Sequence, residues 1–130
     1  MIKEFFVQTE KRYELKDISQ TIENIVQESG LAEGLVLIFV PHSTCGIIVT
    51  ENEEGLKKDW LNFLKKMVAG FDFYHNQIDD NADSHLLAGL VSQVKVFPVK
   101  KGKILRGTWQ QILLAEFDGP RKRKIVVLTK

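Results

Sequence analysis

Apolar side chains recur along this chain at two spacings, and the alternation between them sets out the elements. Residues 2 to 9, IKEFFVQT, are β-branched and aromatic and predict a first strand. Asp17, with Gln20 three positions on, reads as the start of a helix whose stripe of Ile18, Ile22, Ile25 and Val26 ends near Gly30. The run LVLIFV, residues 35 to 40, is apolar at every position, the pattern of a strand buried on both faces. A short strand, IIVT, follows at 47 to 50. Leu56, Trp60, Phe63, Leu64, Met67 and Val68 then repeat at helical spacing up to Gly70, which predicts an amphipathic helix with its aromatic stripe in the core. Residues 71 to 83 show no period, and a short helix is expected from Ser84 with Leu86, Leu87 and Leu90 facing inward.

The rest reads as strands separated by turn chemistry. VKVFPV, ILRGTW running into QQILLAEF, and KIVVLT are divided by Lys100-Lys101-Gly102-Lys103 and Asp118-Gly119-Pro120-Arg121. Pro98 places its strand at an edge or a bulge. The expected fold is α+β: a mixed, largely antiparallel sheet curled into a sandwich, with two main helices and one short one. No repeat or linker divides the chain, so residues 1–130 are expected to form a single domain.

The longest uninterrupted apolar run, Leu35 to Val40, is far short of the ~20 residues of a membrane-spanning helix. MIKEFF lacks the pattern of a secretory signal, so a cytoplasmic protein is expected. The lone Cys45 permits no intrachain disulfide and agrees with a reducing compartment. Formal net charge is +1, but residues 1–94 carry 8 basic and 15 acidic side chains while 95–130 carry 10 basic and 2 acidic ones. A basic C-terminal quarter suits a pocket for phosphate groups, a polyanion such as RNA, or the acidic half of a neighbouring subunit.

The chemistry concentrates between Tyr74 and Leu90. This stretch holds His75, His85, Asp79, Asp80, Asp83, Asn76 and Asn81, a composition that no hydrophobic core requires. His42 stands in a comparable setting after Pro41. Three histidines and nearby carboxylates are the ingredients of a zinc site, although their spacing matches no local metal motif. The bland alternative is that each imidazole bonds an element end. Asp83 is either a carboxylate for acid–base work or a helix cap, and Glu51, Asn52 and Glu53 equally suit the acidic first turn of a helix. Cys45, at the mouth of an apolar strand, reads better as a packed thiol than as a nucleophile for His42. Arg106, Arg121 and Arg123, with Gly107 and Thr108, are candidates for gripping phosphate oxygens.

PHSTCGIIVTENEEG, DNADSHLLAGLVS and FPVKKGKILRGTWQQILLAEFDGPRKRKIVV, taken in that order, resemble the secondary thiamine-phosphate synthase, or YjbQ-like, family over roughly Phe39 to Val127. The resemblance implies a homotrimer, a metal site built around histidines, and an activity joining a pyrimidine diphosphate to a thiazole phosphate with loss of pyrophosphate; imidazole ligands make zinc the foremost divalent metal. On the matching positions it implies a metal on His42, His75 and His85. Catalytic roles fall on Asp83, Glu53 and Asn81, and substrate contacts on Thr44, Asn52, Thr108, Trp109, Gln110 and Arg121. Gly107, Glu116 and Asp118 complete the third motif. The expectation is therefore a metal-dependent enzyme of small phosphorylated metabolites, the alternative a non-catalytic module binding RNA or another polyanion.

Overall fold

The structure is a computed structural model and describes residues 1–130. Eight strands form two antiparallel sheets. The larger runs in the order β1 (Ile2–Gln8), β8 (Lys122–Thr129), β3 (Glu33–Phe39), β5 (Val94–Lys100), β6 (Lys103–Ile104). The smaller runs β2 (Glu14–Asp17), β7 (Gln111–Glu116), β4 (Cys45–Thr50). Three helices accompany them, α1 (Ser19–Ser29), α2 (Glu54–Val68) and α3 (Ala82–Val91), so the α+β class expected from the pattern holds.

Two apolar cores lie on either side of the smaller sheet. In the first, the Ile22, Ile25 and Val26 stripe of α1 packs with Val36 and Ile38 of β3, Ile47 of β4, Ile112 and Leu114 of β7, and Ile125 and Val127 of β8. In the second, Leu64 of α2 and Leu87 and Ala88 of α3 cover Ile48, Leu113 and Ala115 on the opposite face of β4 and β7. Both faces of β7 are therefore buried, and complete burial of each such aliphatic side chain stabilises the fold by about 1.5–3 kcal/mol. Helix α1 closes at Gly30, whose φ of 71° is a left-handed cap that a side chain would strain.

Several sequence expectations change here. The run LVLIFV is buried on one face only: Val36, Ile38 and Val40 are inside, whereas Leu35 and Phe39 are exposed and Leu37 half-buried. Helix α2 is turned from its expected face, with Trp60, Leu61, Leu64 and Val68 on the core and Phe63 and Met67 exposed. Leu86 and Leu90 of α3 face outward, across from those two residues. Of ILRGTW only Ile104 is strand, the second residue of β6, because Arg106 to Gln110 turns across from one sheet to the other. Strand β2, with one buried apolar residue in ELKD, carries no alternation to announce it.

The end of the molecule to which each segment belongs follows from register. Cys45 pairs with Glu116 at one end of the smaller sheet, and Thr50 pairs with Gln111 at the other. The loops following Phe39 and Glu116 therefore lie at the first end. Asn52, Glu53 and the Arg106–Gln110 turn lie at the second, and six residues of strand, roughly 20 Å, separate the two.

Candidate active site

At the first end, Pro41, His42, Ser43, Thr44, Asn81, His85, Asp118, Arg121 and Arg123 line a cavity of about 360 Å³ with no hydrophobic wall. Its floor is a buried ion pair. Arg123 donates from Nε to Glu116 Oε1 at 2.9 Å and from Nη2 to Glu116 Oε2 at 2.5 Å, with the two residues 3% and 0% exposed. Every remaining acceptor is used: Thr9 Oγ1 donates to Oε1 at 2.7 Å, and the amides of Phe117 and Asp118 donate to Oε2 at 3.1 Å. Arg123 Nη2 also donates to Thr44 Oγ1 at 2.8 Å. A buried pair satisfied so fully holds the 41–44 and 117–121 loops against each other.

Above this floor the side chains form a chain of hydrogen bonds. His75 Nε2 donates to Asn81 Oδ1 at 2.8 Å, and Asn81 Nδ2 donates to Asp118 Oδ2 at 3.0 Å. Arg121 donates from Nη2 to the same carboxylate at 3.2 Å and from Nε to the Asp118 carbonyl at 2.8 Å. The guanidinium is thereby oriented at the cavity edge with donors to spare for an anion. His85, on α3, stands edge-on to His75 with ring centroids 4.9 Å apart. Ser84, beside it, is anchored by its hydroxyl donating to the Phe117 carbonyl at 2.5 Å. Gly119 permits the close approach of the 117–121 loop to the chain after β1, since a Cβ there would lie 2.2 Å from the Lys11 carbonyl oxygen.

The three histidines meet in part. His42 and His85 line one cavity and His75 touches His85, but His42 Nε2 accepts the backbone amide of Lys124 at 2.8 Å. That bond puts the His42 proton on Nδ1 and leaves no lone pair on this ring for a metal. Burial first, and then the neighbouring Arg123, hold His42 below the usual imidazole range, consistent with a neutral acceptor. With His42 Nε2 taken by the Lys124 amide, the imidazoles as arranged do not fit a three-histidine zinc site.

Other expected site residues lie elsewhere. Asp83 faces away from the cavity and accepts from Arg12 Nη2 at 3.0 Å and from the Tyr13 hydroxyl. Burial and then that hydrogen bond push the Tyr13 phenol up to about 12. Glu53 caps α2, its Oε2 accepting from the Leu56 amide at 2.8 Å, and Asn52 Nδ2 donates to Asp17 Oδ2 at 3.0 Å. Thr108 lines a separate polar groove with Glu23 and Arg106, and Trp109 and Gln110 belong to the same turn at the second end. Cys45 is fully buried, and burial pushes its thiol up to about 12, in keeping with a packed residue. Arg123, expected to grip phosphate, is instead committed to Glu116 and Thr44 beneath the cavity, and Asp118, expected only as part of a turn and the third motif, holds Arg121 at its edge. The arginines of the basic quarter are neutralised, as is Lys124, since Arg106, Arg121, Arg123 and Lys124 pair with Glu23, Asp118, Glu116 and Glu4. No helix is long and apolar enough to cross a membrane.

A two-sheet α+β domain with a polar cavity of histidine, arginine, aspartate and asparagine at one sheet end is the class that fold and site define. Residues 3–129 match the model of the UPF0047 protein YjbQ-like family, and the chain belongs to it. A UPF0047 protein of Archaeoglobus fulgidus is 43% identical over 125 residues, covering 95% of this chain and 97% of that one. One from Methanocaldococcus jannaschii is 40% identical over 129 residues, covering 98% and 92%. Among solved structures, a YbjQ-like protein of unknown function from Sulfolobus solfataricus superposes with a TM-score of 0.97 at 44% identity, covering 99% of this chain and 95% of its own. A hypothetical protein from Aeropyrum pernix gives 0.96 at 34%, covering 100% and 98%.

Proposed function

We propose that the chain is an enzyme of small phosphorylated metabolites whose diphosphate or phosphate group binds in the His42–His85–Arg121 cavity. The observation that supports this reading is the oriented Arg121 guanidinium, fixed by Asp118 and facing a polar cavity that also presents His85 and the Ser43 hydroxyl. The reaction suggested by the family resemblance, a pyrimidine diphosphate joined to a thiazole phosphate, suits such a site. The thiazole nitrogen forms the new C–N bond, the methylene C–O bond breaks, and pyrophosphate leaves with its electron pair. The attacking nitrogen carries no proton, so no carboxylate base is needed, which accords with Asp83 and Glu53 being engaged elsewhere. What the step needs is stabilisation of the departing charge, by Arg121 electrostatically and by His85 as proton donor.

The test is calorimetric titration with inorganic pyrophosphate, followed by an assay of pyrophosphate release from the two substrates. Arg121→Ala is expected to weaken binding at least about tenfold, or 1.4 kcal/mol. His85→Ala is expected to slow release about a hundredfold or more. Wild-type protein that binds no pyrophosphate, or binding untouched by Arg121→Ala, would overturn the reading.

The same proposal includes assembly as a homotrimer through the outer face of the larger sheet. Ile2, Leu35, Phe39, Val94 and Val96 are exposed there, with Leu37, Val126 and Leu128 among them in register. Together they make a contiguous apolar strip, the kind of exposed surface that marks an interaction site.

A further inference from the structure

We propose that the active site is shared between copies: the Arg106–Gln110 turn of one chain closes the histidine cavity of the next, with Trp109 as its wall. The inference rests on the reading of that cavity as the active site and adds the element that completes it. Within a single chain the two cannot meet, because β7 spans the smaller sheet between them and holds them roughly 20 Å apart.

Each half lacks what the other has. The cavity is open and has no hydrophobic lining, yet a ligand made of a flat heterocycle and a phosphate needs an apolar or aromatic surface for its ring. Trp109 is 70% exposed, an unusual position for the largest aromatic side chain. It does not sit on a loose loop. Gln110 Oε1 accepts the Gly107 amide at 2.7 Å, the Gln110 amide returns to the Gly107 carbonyl at 3.1 Å, and Arg106 Nη1 donates to the Gln110 carbonyl at 2.6 Å. An exposed indole on a turn braced in this way is pre-organised to enter a pocket, at little entropic penalty, as interface anchors do.

The surface between the two ends identifies the occupant as a second copy. The exposed apolar face of the larger sheet runs from Phe39 and Val94, beside the cavity, to Leu35 and Pro98, which adjoins Leu105 just before the turn. Two copies packed head to tail over this face set the second end of one against the first end of the other, and the pairing closes into a ring when the rotation allows it. Charge favours that direction, since Lys122 stands exposed at the start of β8 beside the cavity end, whereas Glu51 and Glu53 stand exposed beside Asn52 at the other.

A double variant, Ser43→Cys with Thr108→Cys, places one thiol at the cavity rim and one on the turn. Cα atoms must lie within about 7 Å to be bridged, so a disulfide between these positions forms only between chains. Mild oxidation is expected to give covalent oligomers from the double variant that reductant dissolves, and none from either single variant. Should strain disfavour that bond, Trp109 supplies a second measurement. In a Trp60→Phe background it is the sole tryptophan, and iodide is expected to quench it several-fold less in the assembled protein than after dissociation by Val96→Glu. A monomeric mass at micromolar concentration, or an oligomer that neither cross-links nor shields Trp109, would overturn the proposal. Neither readout involves a ligand, so loss of pyrophosphate binding with an intact cross-link would count against the phosphate reading alone.

Discussion

Glu116 and Arg123 show how one buried pair governs the candidate site. Together with their four partners, Thr9, Thr44 and the amides of Phe117 and Asp118, they leave no charge unmatched. Arg123→Ala strands the Glu116 carboxylate in the core and is expected to destabilise by about 3–5 kcal/mol in urea titration. Replacing both partners with apolar residues of similar volume is expected to cost less than that single change, and a double variant as unstable as Arg123→Ala would show that the floor acts through packing. His42 makes a pH-dependent contribution. Its folded imidazole sits below the ~6.5 of an unfolded one, so as pH falls the unfolded chain takes up the proton first. Stability therefore declines from about pH 6.5 downward until the folded ring also protonates. His42→Gln keeps an acceptor for the Lys124 amide without titrating, and urea midpoints at pH 7.5 and 5.0 should differ less in that variant than in the wild type.

At the scale of elements, the acidic segment before α2 was read two ways, as a catalytic carboxylate and as a helix start, and the geometry of Glu53 is that of a cap. Glu53→Ala is expected to lower stability by about 1 kcal/mol, with much of the loss recovered by Glu53→Ser, the usual behaviour of a cap. An equal loss in both variants would mean that Glu53 acts through another contact. Elements with a strong period were legible: the Ile18–Val26 stripe of α1, the apolar strands 94–99 and 124–129, and the two turns that divide them all fall where the pattern puts them. Strand β2 was not, because a four-residue segment with one inward side chain has no alternation to detect. The face of α2 was misjudged for a related reason. Phe63 and Met67 share the helical period with Leu64, but which arc of that stripe meets the sheet depends on how α3 sits beside it. The cavity was partly legible, since loop histidines, amides and Arg121 mark polar chemistry in any fold. That His42 is engaged by the amide of a residue 82 positions away is a tertiary fact with no local signal.

The whole molecule resolves a conflict that neither residues nor elements do. LVLIFV has the composition of a strand buried on both faces, yet one face of β3 in the isolated chain meets solvent, and its neighbours Val94, Val96 and Val126 extend the same apolar strip. A sequence selected to fold and stay in solution normally carries polar side chains on such a face. In the chain itself the double-sided burial expected from the sequence does not hold, and on the proposed assembly a second copy supplies the missing layer. On this account a charge at the middle of the strip is tolerated by the fold, because the side chain points outward, but not by the interface. Val96→Glu is expected to retain the circular dichroism and urea midpoint of a folded chain while its mass by light scattering falls from three chains to one. A variant that remains trimeric would move the interface to another surface, and one that unfolds would show that the strip is needed by the monomer itself.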